Sequence, residues 1–161
     1  MFTTEENQFL ATILKMFSNS NEERKASEKN IQSWLEVSYD QILVSCNKFI
    51  VCEQLQSNIR EYSCYLITLC TSPKYYQNWQ QLNSDLKASI QTNSLGLLGN
   101  QIKSIRQQAC ILVTAVFSIS VRDQGWPNLI STLCNACTSN NIEFKISAVK
   151  TLGMIWEKLP K

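Results

Sequence analysis

The sequence predicts an all-α fold, a right-handed α-solenoid of about four helix pairs, and three observations predict it. One residue pattern recurs four times along the 161 residues: Glu23-Arg24-x-x-Ser27 with Ile31, Ile59-Arg60-x-x-Ser63 with Ile67, Ile105-Arg106-x-x-Ala109 with Val113, and Phe144-Lys145-x-x-Ala148 with Leu152. The basic residues stand 36, 46 and 39 positions apart, around the period of stacked two-helix repeats. No segment alternates apolar and polar residues as a half-buried strand would, and four Gly with three Pro are few for the turns of a sheet.

The second helix of each pair follows from the pattern itself. Counting the residue before each basic one as position 0, positions 0, 4, 8, 11 and 12 share one face of a helix. Positions 11 and 12 are Trp34-Leu35, Cys70-Thr71, Val116-Phe117 and Ile155-Trp156, so the apolar stripe runs the length of each copy. The first helices are expected upstream, at Glu5–Phe17, Tyr39–Val51, Ser84–Leu98 and Pro127–Thr138. After each comes a start signal for the second helix: residues 19–21, residues 56–58, Asn100 and residues 139–141 supply short polar side chains that can accept from orphan backbone N–H groups. Pro127 suits a first helical position, where its missing N–H would be unpaired anyway. Eight helices in four antiparallel pairs are expected, with repeats at about 1–36, 37–72, 73–122 and 123–161.

Composition excludes several functions. The formal charge is +2, divided as −2 over residues 1–80 and +4 over residues 81–161, and no dense basic stripe with interleaved aromatics marks a nucleic-acid surface. Glu5 and Glu6 occupy the place where a secretory leader would be basic. The longest apolar run, residues 109–117, is far short of the roughly 18 residues a membrane helix needs. A soluble, intracellular chain with no nucleic-acid or membrane partner is expected. Without histidine, neither a Cys–His nor a Ser–His–Asp unit can form, no glycine-rich phosphate loop is present, and the carboxylates are spread over helix surfaces; no catalytic residue is expected, and no cofactor. Seven cysteines include a Cys134-x-x-Cys137 pair and a spaced set at Cys46, Cys52, Cys64 and Cys70. These fall within apolar helical patterns, so the expectation is buried core thiols, with neither a metal site nor disulfides.

A basic residue, two free positions and a small residue near the start of a second helix resembles the HEAT repeat. Longer stretches resemble the amino-terminal repeats of the importin-β (karyopherin-β) family of nuclear transport receptors. Asn21-Glu22-Glu23-Arg24-Lys25-Ala26-Ser27-Glu28 is similar to that family's opening segment, Trp79-x-x-Leu82 with Leu86-Lys87-x-x-Ile90 to its third repeat, Trp126-Pro127-Asn128-Leu129-Ile130 to the entry of its fourth, and Thr151-Leu152-Gly153-Met154-Ile155-Trp156-Glu157 to the helix that follows. The similarity runs from about residue 9 to the last residue. It implies that Arg24, Arg60, Arg106 and Lys145 are rungs of a ladder between adjacent repeats, with Ser18, Gln54, Asn100 and Ser139 where HEAT repeats favour Asp. One departure lies at Ile67-Thr68-Leu69, where the family carries Leu-Lys-Asn, the Lys on the face offered to the small GTPase Ran.

The register leaves positions 2, 5, 6 and 9 of each second helix for a concave surface of the kind solenoids use for binding. Those expected to meet a partner are Lys25, Glu28, Lys29, Gln32, Tyr65, Thr68, Gln107, Thr114 and Lys150; Glu61, Cys64, Cys110, Ile111, Ile146, Val149 and Gly153 share the same positions. Resemblance implies that this face binds Ran in its GTP form, that nucleoporins and cargo adaptors use repeats beyond this chain, and that the protein moves between cytoplasm and nucleus through the nuclear envelope. The alternative is a HEAT scaffold or adaptor of a non-transport complex. Phe144, Leu152, Ile155 and Trp156 are expected to form an uncovered apolar end, fitting a fragment of a longer solenoid and promoting self-association.

Overall fold

The protein is described here by a computed structural model covering residues 1–123 and 125–158. Leu159–Lys161, where the sequence reading ends its fourth repeat, lie outside the described residues. Those described form nine α-helices and no strand: α1 (Thr4–Lys15), α2 (Asn21–Val37), α3 (Tyr39–Val51), α4 (Ser57–Cys70), α5 (Tyr76–Gln81), α6 (Ser84–Gly96), α7 (Lys103–Ser120), α8 (Leu129–Ala136) and α9 (Ile142–Lys158), with single 3₁₀ turns at Pro73–Tyr75 and Leu97–Gly99. The expected pairs are α1/α2, α3/α4, α6/α7 and α8/α9. Helix α5 is the ninth element. It fills the widest spacing, between Arg60 and Arg106, because Trp79 is driven into the core there with no exposed surface.

Local signals explain the helix starts. Thr3 and Glu6 form a capping box at α1, and the Ser20 hydroxyl accepts from Glu23 N–H at α2. Asn141 Oδ1 accepts from Phe144 N–H, 3.0 Å, at α9. At α8 the expectation fails. Pro127 is not a first helical residue; the chain turns through Gly125 (φ 76°) and Asn128 (φ 66°), both left-handed, and the helix begins at Leu129. Likewise α6 stops at Gly96, and Leu97 and Leu98 reach the core from a tighter turn.

Two layers result. α1, α3 and α6 lie side by side, α4, α7 and α9 form the second row, and α8 packs on α9. Their common core joins Phe9, Ile13, Leu43, Phe49, Ile67, Ile90, Leu98, Ile105, Val113, Leu133 and Ile155, with Phe2 edge-on to Phe49 at 5.0 Å and Phe9 stacked on it at 6.0 Å. Helix α2 stands apart: it packs on α1 and α3 rather than alongside α4, burying Ser27, Ile31 and Leu35.

Polar groups tie the first row together. Lys48 of α3 pairs with the buried Glu6 of α1. Loss of water by itself would raise the Glu6 carboxyl, but hydrogen bonds from Lys48 and Thr3 N–H, and the Lys48 charge, hold it below its usual value. Further along, Asn47 Nδ2 donates to Ser89 at 2.8 Å while Asn93 Nδ2 donates to Asn47 Oδ1 at 3.0 Å, joining α3 to α6. Lys87 of α6 donates to Asp123 Oδ2 (2.6 Å) and to the Gln80 carbonyl (3.1 Å), holding the turn after α7.

The basic residues of the repeated pattern work differently from expectation. Arg24 and Arg106 reach back six residues to the main-chain carbonyls of Ser18 (2.6 Å) and Asn100 (2.7 Å), and Arg60 donates to Ile50 O at 3.0 Å. They cap the carbonyls at the turn inside their own helix pair, where orphan acceptors are otherwise exposed. Side chains of Gln54 and Ser139 are not their partners, and Lys145 makes no such bond among the described residues. One rung does cross between pairs: Arg106 also pairs with Glu143 of α9.

Candidate functional site

The candidate binding face is built by α4, α7 and α9. In all three helices small or polar residues sit in the seams between neighbours: Ser63, Cys64, Cys110, Thr114, Ser147 and Thr151 are buried. A hydroxyl in such a seam needs an acceptor, and three of them find one on their own helix. Ser63 donates to Ile59 O, Thr114 to Cys110 O and Thr151 to Ser147 O, each at 2.8 Å. Cys110 Sγ donates across to Ser147 O at 3.6 Å, and Ser104 donates across to Glu61 at 2.6 Å. Position 5 of α4 and α7 and position 9 of α7 are therefore buried in the row rather than open to a concavity.

This corrects part of the expected contact set. Thr114, 1 % exposed, cannot meet a partner, and neither can Cys64 or Cys110. Thr68 is half-buried, its hydroxyl given to Cys64 O at 3.0 Å. Tyr65, Gln107 and Lys150 are exposed on successive helices, and with Ile111 and Ile146 they make the open surface of the row. Lys25, Glu28, Lys29 and Gln32 are exposed together along α2, which packs on α1 and α3.

Sequence reasoning missed an aromatic edge to this surface. Phe17, just past α1, lies edge-on to Tyr62 at 6.0 Å, and Tyr62 lies 5.7 Å from Tyr65. Burial pushes the Tyr62 hydroxyl up to about 12, with Tyr65 and Glu28 adding to the effect. Tyr62 occupies position 3, a signal visible only once the row is known. The stripe expected to be uncovered also shifts. Ile155 is buried and Phe144 and Leu152 are half-buried, whereas Ile142, Ile146, Val149 and Trp156 (77 %) are exposed. They stand four, three and seven residues apart, which is one side of a helix, so one apolar face of α9 is open.

The thiols divide. Cys46, Cys64, Cys70 and Cys110 are buried as expected, but Cys134 is exposed and Cys137 half-buried at the end of α8, because the helix is short and turns them outward. All seven are free. Burial raises the Cys64 and Cys70 thiols to about 12, with Arg60 partly opposing at Cys64, and raises Cys46 as well. Among the described residues no three His, Cys, Asp or Glu side chains gather to hold a metal ion, and no helix is long and apolar enough to cross a membrane.

No protein-family model matches the chain. Over 87 residues it is 29% identical to importin subunit beta-1 of Schizosaccharomyces pombe, a match covering 53% of this chain and 10% of that one. Among solved structures, Kap95p, captured inducing the switch loops of RanGDP to adopt the GTP-bound conformation, superposes with a TM-score of 0.86 at 20% identity over 98% of this chain and 19% of its own. Kap95 in complex with Nup1 follows at 0.82, 20% identity, 96% and 19%, and Kap121p at 0.75, 20% identity, 96% and 14%. The chain thus spans about a fifth or less of the proteins it is similar to. Its right-handed HEAT solenoid is the fold of karyopherin nuclear transport receptors, and its resemblance to importin-β holds in backbone and, over part of its length, in sequence.

Proposed function

We propose that the chain is the amino-terminal portion of a nuclear import receptor and binds Ran in its GTP form through the open face of α4, α7 and α9 together with α2. The observation that carries this reading is the superposition of nearly the whole chain on Kap95p as it engages Ran. Contacts are assigned to Lys25, Glu28, Lys29 and Gln32 on α2 and to Tyr65, Thr68, Gln107 and Lys150 on the row, with Tyr62 and Phe17 extending the aromatic edge. Residues 1–36, 37–72, 73–122 and 123–161 are taken as four repeats. Nucleoporin and cargo-adaptor sites are assigned to repeats outside the chain, and the location to cytoplasm, nucleus and nuclear envelope. The role is one of binding, as in the transport receptors the chain resembles.

The mechanism of selectivity is conformational. GTPase switch segments are ordered by the γ-phosphate and its Mg²⁺, so a preformed helical surface meets the GTP arrangement ready-made. Kap95p induces that arrangement in RanGDP, so the GDP form is expected to bind weakly rather than not at all; the work of reorganising the switches is subtracted from its affinity. Interferometry of the immobilised chain with Ran·GTP and Ran·GDP tests this. Tyr65→Ala should weaken the GTP complex by about 1–2 kcal/mol as a lost aromatic anchor, Lys29→Glu should weaken it, and Thr68→Lys should tighten it by about 1 kcal/mol in a salt-dependent way. Equal affinity for the two nucleotide forms, or indifference to Tyr65→Ala and Lys29→Glu, would refute the assignment.

A second reading rests on the exposed Ile142, Ile146, Val149 and Trp156: a scaffold or adaptor that associates with itself through α9. It predicts concentration-dependent elution in gel filtration that Ile146→Lys abolishes, with no binding of either form of Ran.

A further inference from the structure

The carboxyl-terminal turns of α4 and α7, with Lys158 of α9, line a groove of about 460 Å³, within the size range of small-ligand sites. Its walls carry Pro73 and Ile119 beside the hydroxyls of Thr68, Thr71 and Ser118, and Arg122 and Lys158 stand in its lining. The hydroxyls have already given their protons to main-chain carbonyls: Thr68 to Cys64 O at 3.0 Å, Thr71 to Thr68 O at 2.7 Å and Ser118 to Thr114 O at 2.8 Å. They therefore face the groove as acceptors. The cations can only donate, and among the described residues neither has a carboxylate within ion-pair distance. Arg122 is positioned by its main chain, because Tyr76 Oη donates to its carbonyl at 2.6 Å.

We propose that this groove binds an extended peptide bearing one acidic side chain, its carboxylate between Arg122 and Lys158 and its backbone N–H groups on the hydroxyl oxygens of Thr68, Thr71 and Ser118. The mixture of groups selects this ligand. An inorganic phosphate would satisfy the cations but set its oxygens against the hydroxyl lone pairs, whereas a peptide brings donors and an anion together. Charge limits the ligand to one acid. The carboxyl-terminal ends of α4 and α7, each worth about −0.5 of a charge, offset about half of the two cations, so a polyacidic tract gains nothing beyond its first carboxylate. Pro73 and Ile119 supply apolar walls for neighbouring side chains.

Selection of a random octapeptide display library on the whole chain, with the Arg122→Gln/Lys158→Gln variant as counter-target, tests the proposal. Enriched peptides should carry a single Asp or Glu and should not be enriched on the variant, whose circular dichroism should match the parent because both side chains are surface groups. In fluorescence polarisation an enriched peptide should bind about tenfold more tightly than its Gln or Asn counterpart, the difference shrinking with salt, while Arg122→Lys should retain much of it. Inorganic phosphate at millimolar concentration should not displace the peptide. Enrichment without acidic residues, equal enrichment on the variant, or displacement by phosphate would overturn the proposal. So would a variant that loses stability while binding unchanged, since the cations would then serve only the helix ends.

Discussion

Replacing Lys87 by Met should destabilise the fold by about 3 kcal/mol. The perturbation keeps the apolar stem and removes only the ammonium group. In the folded chain the Lys87 side chain is 7 % exposed and that of Asp123 14 %, and the ammonium donates to both the carboxylate and the Gln80 carbonyl. Its loss leaves a largely buried carboxylate without its cation and a carbonyl short of one donor. Breaking a buried pair from one side costs roughly 3–5 kcal/mol, and the residual exposure of Asp123 places this case at the lower end. Removing both charges is different in kind, because no uncompensated ion remains. Lys87→Met/Asp123→Leu should therefore be more stable than Lys87→Met alone, with a coupling of about 2 kcal/mol in the double-mutant cycle. Urea unfolding followed at 222 nm, with the parent, both single variants and the double variant at pH 7, supplies the four free energies. A single-variant cost below about 1 kcal/mol, or additive costs, would mean that the turn after α7 is held by something other than this pair.

The buried thiols predict alkaline weakness. Their folded values lie above the unfolded ones, so the unfolded chain ionises first; stability is full below about pH 8.5 and falls from there toward about pH 12, by up to about 1.4 kcal/mol per pH unit for each of Cys64 and Cys70, with Cys46 acting in the same direction. Denaturant midpoints between pH 8 and 10 check this, and a flat profile refutes it. With a thiol-specific chromophore at pH 8, Cys134 should react first, Cys52 and Cys137 next, and the four buried thiols only on unfolding; uniform reactivity would refute that order. Trp79 Nε1 is buried without a partner among the described residues. Trp79→Phe removes that orphan donor and should cost under about 1.5 kcal/mol, whereas Trp79→Ala should cost about 3–5 kcal/mol; thermal unfolding distinguishes them.

The fold was legible because a helix pair repeated in register announces itself through period alone, and Tyr39–Val51 comes out residue for residue as α3. What escaped were features decided by neighbours. Trp79 nucleates α5 only because a pocket awaits it between the second and third pairs. Thr114 reads as a surface residue on its own helix, yet it is buried within the row, and a hydroxyl bonded to Cys110 O tolerates that cover at little cost. The same reasoning failed in the other direction at Cys134, where a short helix leaves an apolar-looking position in water. At Arg60, side-chain identity predicted a rung between repeats; the nearer orphan carbonyl of Ile50 took the bond instead.

The separate placement of α2 has a mechanical consequence. Seventeen residues are held by three buried side chains, so this helix should open at a lower free energy than the row and exchange its amide hydrogens earliest of the long helices. It also carries four of the contacts proposed for Ran. Docking there would first recruit the most compliant part of the array and stiffen it, drawing on binding energy that would otherwise appear as residence time. A partner released quickly, and tightened by any change that pins α2 to α4, is what such an arrangement delivers.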